Sequence, residues 1–349
     1  MLALACAGAL LGFGCCAPAV AARKLTAANW DAAEQRLVLS DGVMSEATGG
    51  GFAGATALTT QAESLALGAI AARTDTAPIA FDTAVPITVV RFDELLVDQL
   101  GLSDVAEHVQ QVAAAAGLAP PAYFGSEVVA RYLGLRYDHP AGEDKLELYP
   151  WNQITRAEAA HSFAALLGFE AWVLPAAREV LAGFSLPQYT TAQREVLRIA
   201  VSKIGMPYVW GGTTDGTADG LEHGGYDCSG FAWRVYKLSG LPWGKTILGR
   251  TAAEQAGEIA KSKRIHLAAV QPGDLLFFGS AHFDSKATNT NVIHEAIALS
   301  GQWAIHSSGQ GVYVLPLTTG WLADSFTWAR RVLPDVGGSS SESHAAGGP

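Results

Sequence analysis

The stretch Gly224-Gly225-Tyr226-Asp227-Cys228-Ser229-Gly230-Phe231-Ala232-Trp233 constrains this chain more than any other. Two glycines interrupt what precedes it. Apolar Phe231, Val235 and Leu238 then recur at helical spacing, and Gly240 stops the run. Cys228 therefore stands at the first turn of a helix, where unpaired backbone N–H groups and the macrodipole favour negative charge. A thiol there is expected to ionise more readily than a free one, and the thiolate is the nucleophile. The alternative is a buried structural cysteine.

Cysteine usage and the histidines downstream favour chemistry. Of the four cysteines, Cys6, Cys15 and Cys16 fall in an apolar N-terminal segment, so Cys228 has no intramolecular partner once that segment is set apart. His294 and His306 each lie inside an apolar, strand-like run. A cysteine, a general base and a group that orients the base make up the logic of cysteine acyl transfer. Seen alone, the two histidines could equally be strand residues satisfied by backbone groups.

Residues 1–22 are small and apolar, with Ala19-Val20-Ala21 in the small-x-small form of a leader cleavage site, so export is expected. Cys15 only loosely resembles a lipoprotein site. Of the 349 residues, 49% are hydrophobic and 16% charged, which describes a folded chain long enough for two or three domains. A net charge of -10 without a Lys/Arg stripe excludes nucleic acid as a partner.

Between residues 27 and 170 a weak internal repeat opens helix-like segments at Leu58-Thr59-Thr60, Ile87-Thr88-Val89 and Ile154-Thr155-Arg156. Thr60 with Glu63, and Thr155 with Glu158, have capping-box spacing, and helices are expected to end at Gly101 and Gly168. The third copy, Tyr149-Pro150-Trp151-Asn152-Gln153-Ile154-Thr155-Arg156-Ala157-Glu158, resembles the S-layer homology module. That resemblance implies a mostly helical three-repeat unit docking on cell-wall polysaccharide. Only Arg156 keeps the module's arginine, while Thr60 and Val89 replace it, and a helical spacer is the alternative. Residues 171–189 read as a linker. Thr190 to Gln193 offers another capping box, and strands follow from Asp274 onward, so an α+β domain is expected over 190–333, with a disordered tail at 334–349.

Tyr208-Val209-Trp210-Gly211-Gly212, Asp227-Cys228-Ser229-Gly230-Phe231, Gln271-Pro272-Gly273-Asp274-Leu275 and the strand opening at His294 together resemble the NlpC-type, papain-like cell-wall endopeptidases. The resemblance implies helices packed on an antiparallel sheet, peptidoglycan stem peptides as substrate, and no metal or organic cofactor. The bond commonly cut is that between D-glutamate and the diamino acid. By matching position, Cys228 would be nucleophile, His294 base, His306 the orienting group, and Tyr208 a helper of the Cys228 N–H at the oxyanion. Asp227, Ser229 and Trp210 would meet substrate. Longer loops at 213–225 and 279–292, and Glu295 beside the base, depart from the pattern. A non-catalytic cell-wall attachment protein and a related cysteine amidase are the alternatives.

Overall fold

Five strands form the centre of the C-terminal part: β3 (Leu275–Gly279), β4 (Val292–Ala298), β5 (Trp303–Ser308), β6 (Gly311–Pro316) and β7 (Phe326–Arg330). β1 (Thr213–Thr214) and β2 (Gly225–Tyr226) make a separate short ladder ahead of them. The computed structural model describes residues 30–334 apart from 48, 75, 81–86, 138, 141–142 and 217–222. The expected leader, the cysteines within it and the tail beyond Pro334 lie outside the described residues.

The sheet is antiparallel in the order β6-β5-β4-β3-β7. Side chains alternate across it, and both faces are apolar. Leu275, Phe277, Ile297, Ile305 and Trp328 turn to the larger core. Leu276, Phe278, Ala296, Ala298, Ala304 and Ala329 turn to a smaller one. Helices cover both sides, which is why these strands read as nearly continuous apolar runs. The register sets Phe278 opposite His294 and Phe277 opposite Glu295. His294 and Glu295 therefore leave β4 on opposite faces.

Among the described residues, three α-helices of this part precede β3. α8 (Thr191–Val201) starts on a reciprocal capping box between Thr190 and Gln193, as its sequence predicts. α9 (Cys228–Leu238) has Asp227 as N-cap, and Gly240, with φ +67, follows its last turn. α10 (Ala252–Gly257) opens on a second box, Thr251 with Glu254. A glycine is required at 230, because a Cβ there would collide with the Gly212 carbonyl oxygen.

Upstream, α1 (Ala32–Ser40), α2 (Thr60–Thr74), α3 (Val89–Gln99), α4 (Ser103–Ala115), α5 (Phe124–Tyr132), α6 (Arg156–Leu167) and α7 (Val173–Ala182) make a helical part. The segments that open the three sequence copies converge. Leu58 N–H donates to Ile154 O (2.9 Å), Ile154 N–H to Ile87 O (3.0 Å) and Val89 N–H to Asn152 O (2.9 Å). Thr88 and Thr155 cap their helices through the side-chain oxygen. At α2 the acceptor is Thr59, one residue before the Thr60 of the expected box. Glu63 then falls inside the fold, with neither carboxylate oxygen hydrogen-bonded. Glu158 likewise turns away from its cap and meets His139 Nε2 at 3.1 Å. Arg156, the arginine of the S-layer-like motif, is buried; it donates to Phe52 O (2.8 Å) and Ser45 O (2.6 Å).

The helical part is joined tightly to the sheet. α5 packs on edge strand β6. Arg131 donates to Glu127 (2.8 Å) and to Gly205 O (3.2 Å), and Gln310 Nε2 donates to Arg131 O (2.9 Å). α7 buries Val173, Ala177 and Leu181, and Phe184 beyond it meets Trp303 edge to face at 5.0 Å. The apolar core consequently runs without a break from Val38 to Leu333.

Candidate active site

The site begins with the N-terminus of α9. Asp227 caps it, its carboxylate accepting from Gly230 N–H (2.7 Å) and from Gly211 N–H (3.0 Å). The same carboxylate is clasped by Arg250, Nη1 to Oδ1 at 3.0 Å and Nη2 to Oδ2 at 2.6 Å. Such a two-pronged pair fixes orientation as well as charge. Ser229 is buried; its hydroxyl donates to Arg250 O (2.8 Å) and accepts from Arg250 Nη1 (3.2 Å). Asp227 and Ser229, both expected to face substrate, are thus already engaged by one guanidinium and the surrounding backbone.

Cys228 is the first residue of α9 and carries the free thiol among the described residues. Its sulfur lies against the backbone N–H groups of Ser229 and Glu295, which ties the helix start to β4 one residue past His294. Burial, and then the carboxylates of Asp227 and Glu295, push the thiol up to about 12. This corrects the expectation of easy ionisation. An acidic N-cap takes up a helix N–H and sets a negative charge beside the sulfur, which opposes the macrodipole. Glu295 adds a second acidic group, fully buried and itself raised well above the usual carboxyl range by burial.

His294 on β4 and His306 on β5 are brought together, with Nε2 of the first 2.8 Å from Nδ1 of the second. Both rings are buried. Burial lowers His294 to about 4 and His306 well below its usual range, the neighbouring His294 adding to the second shift. Both imidazoles are therefore neutral near pH 7. His306 is backed by the Tyr313 ring at 4.3 Å. Among the described residues no hydrogen bond joins the thiol to either imidazole.

Tyr208 bridges to Tyr226 along the backbone and stands near enough to Arg250 to act on its charge. Trp210 is 70% exposed. Arg250 is the residue that the sequence reading missed. Its one local signal is the Thr251–Glu254 capping box that follows it, and nothing local links it to an aspartate 23 residues earlier. Among the described residues no cluster of three or more His, Cys, Asp or Glu is arranged to hold a metal ion, and no helix is long and apolar enough to cross a membrane.

Residues 205–331 match the NlpC/P60 family. The gamma-D-glutamyl-L-lysine dipeptidyl-peptidase of Bacillus cereus (strain ATCC 10987 / NRS 248) is 33% identical over 147 residues, 42% of this chain and 38% of that protein. The bifunctional muramidase/DL-endopeptidase CwlT of Bacillus subtilis (strain 168) is 30% identical over 148 residues, again 42% of this chain and 38% of that protein. The match thus spans 38% of the length of each of these two curated relatives. Among solved structures, the NlpC/p60 domain of the peptidoglycan hydrolase SagA is 30% identical, covers 40% of this chain and 97% of its own, and has a TM-score of 0.30. The C-terminal part of this chain, residues 205–331, is an NlpC/P60 domain.

Proposed function

We propose that the protein is a cysteine endopeptidase that hydrolyses peptidoglycan stem peptides, at the bond between D-γ-glutamate and the diamino acid. The observation that carries this reading is the His294–His306 hydrogen bond on two adjacent strands, with Cys228 held against the next residue of β4. The names of the relatives support the substrate class: one is a gamma-D-glutamyl-L-lysine peptidase and another a DL-endopeptidase.

The tautomers follow from the roles. A base at His294 Nδ1 needs an open lone pair there, so His294 carries its proton on Nε2 and donates it to His306 Nδ1. Cys228 then gives its thiol proton to His294 Nδ1 as the sulfur attacks the γ-carbonyl carbon. The oxyanion meets the Cys228 N–H and the Tyr208 hydroxyl. Collapse breaks the C–N bond, and the leaving amine takes the proton from His294. Water then attacks the thioester, His294 accepts its proton, and the thiol is restored. The high thiol pKa and the low imidazole pKa favour neutral partners at rest. Proton transfer is therefore coupled to substrate arrival, when apo contacts shorten.

We read the helical part as a fixed flank of this domain. Support comes from the buried Arg156, which gives two hydrogen bonds to backbone carbonyls. Binding of wall polysaccharide by the repeats is the second reading, carried by the S-layer-like motif. Export to the cell wall fits the leader-like segment and the cell-wall hydrolases among the relatives. Mass spectrometry of digested muropeptides, with wild type beside Cys228→Ala, tests the main reading. New amine ends on the diamino acid are expected from wild type alone. Release of the whole stem from the sugar would instead assign an amidase.

A further inference from the structure

The contacts of His294 go beyond its hydrogen bond. α11 (Gly320–Ser325) is a short helix between β6 and β7, and it carries Trp321. The indole meets the His294 imidazole edge to face, with centroids 5.5 Å apart and planes at 68°. It also leans on Phe278, at 6.0 Å and 35°, and Phe278 lies 5.9 Å from His294. His294 is 8% exposed whereas Trp321 is 49% exposed, so the indole forms the solvent side of the group that hides the ring. His306 holds Nε2 at 2.8 Å, Phe278 lies alongside from β3, and Trp321 covers from outside.

We propose that Trp321 is a positioning residue for His294. It restrains rotation of the imidazole about its bond to the strand and keeps water from its face, so that Nδ1 is the nitrogen left for the thiol. This rests on the reading of His294 as base. A hydrogen bond at one nitrogen leaves the ring free to swing about that contact, and an edge-to-face neighbour removes this freedom. A base displaced by about an ångström can cost up to about a hundredfold in rate. The titratable group in contact with the ring is His306 on β5; Glu295 leaves β4 on the opposite face, and Cys228 lies against the Glu295 N–H. None of them belongs to α11, so the effect of Trp321 on the ring is one of packing and desolvation.

The test uses the full chain carrying Trp321→Ala or Trp321→Phe, with His294→Ala as control. Two quantities are read: kcat and KM on a disaccharide-linked muropeptide across pH, and the imidazole titration of His294 by NMR in a Cys228→Ala background. Trp321→Ala is expected to lower kcat about tenfold with KM within about twofold. It should also raise the His294 titration by about one unit or more toward the free-histidine value. Trp321→Phe, which keeps a ring over the imidazole, should restore most of both. An unchanged titration and kcat in Trp321→Ala overturns the proposal, and so does a phenylalanine variant as damaged as the alanine one. Should His294→Ala stay active, the base reading fails and the positioning role falls with it, whatever Trp321 does.

Discussion

Nε2 of His294 lies 2.8 Å from Nδ1 of His306, so one imidazole must donate and the other accept. That contact decides what each variant of the pair should do. His306→Ala removes the acceptor and frees the tautomer of His294; a loss of about ten- to a hundredfold in kcat/KM is expected. His306→Asn offers an amide oxygen as acceptor and should recover part of the loss. Hydrolysis rates on one muropeptide rank the variants, and an asparagine variant worse than alanine would refute the donor assignment. Cys228→Ala should be inactive yet melt near the wild-type temperature.

Thiol reactivity gives the second prediction. With Cys228 pushed up to about 12, the folded free enzyme holds little thiolate at pH 7. The second-order rate of alkylation by iodoacetamide should keep climbing beyond pH 9 with no plateau below it. Arg250→Ala removes the cation clasped to Asp227 and leaves that carboxylate beside the sulfur unopposed, so alkylation at pH 8 should slow. A plateau near pH 6 would mean a resident thiolate–imidazolium pair and would sink the neutral resting state.

A third prediction concerns substrate ends. Asp227 accepts from two backbone N–H groups and from both prongs of Arg250, which leaves the carboxylate little capacity for a substrate amine. Acetylating the N-terminus of a tripeptide stem should therefore change kcat/KM by no more than a few fold. A drop of about a hundredfold or more would show that the amine is bound by charge after all.

Much of this architecture is legible in the chain. Strands β3 to β7, the Thr190 and Thr155 caps and the cysteine at a helix start all follow from spacing and punctuation, because each depends on neighbours a few residues away. What was not legible depends on folding partners far along the sequence. Arg250 finds Asp227, and Trp321 finds His294, only once the sheet is assembled. The upward push on the Cys228 thiol is hidden from the sequence for the same reason. A helix N-terminus is visible in sequence, but the burial of Glu295 and the desolvation of the half-buried Cys228 are not. Local shifts matter too: the α2 cap moved back to Thr59, and Glu63 went inside.

Glu63 carries a stability prediction. Burial raises its carboxyl to about 8, against 4.5 as its ordinary value. A folded-state pKa above the unfolded one means that the unfolded chain loses its proton first. The contribution is complete below about pH 4.5 and is lost as pH rises through about 8. Glu63→Gln cannot ionise. Relative to wild type it should be about neutral at pH 4.5 and stabilised by about 4 kcal/mol at pH 8. Urea titrations at the two pH values check this, and an equal difference at both would refute it.

The joint between the helical part and the sheet carries the last prediction. Arg131 and Glu127 are both buried and 2.8 Å apart, and the guanidinium also holds the Gly205 carbonyl. Gly205 N–H donates to Val312 O, and Val312 N–H to Met206 O, each at 2.8 Å, so this short segment covers the outer edge of β6. Removing one ion leaves the other uncompensated in the interior. Arg131→Met should cost about 3 kcal/mol, and Glu127→Leu a similar amount, while the double substitution should cost less than either alone. Equilibrium urea unfolding separates these outcomes, and strict additivity would show that the pair is not coupled. The same geometry bears on a chain shortened to start near Leu186. It would lose α5, expose the apolar face that α5 covers beside β6 and release Gly205 from Arg131, so that the Gly205–Met206 cover of the strand edge is held less firmly. Such a chain should self-associate on size exclusion at micromolar concentration. If it instead runs as a stable monomer and cuts stem peptides at the full-length rate, the helical part is a detachable spacer and α5 is not required to shield β6.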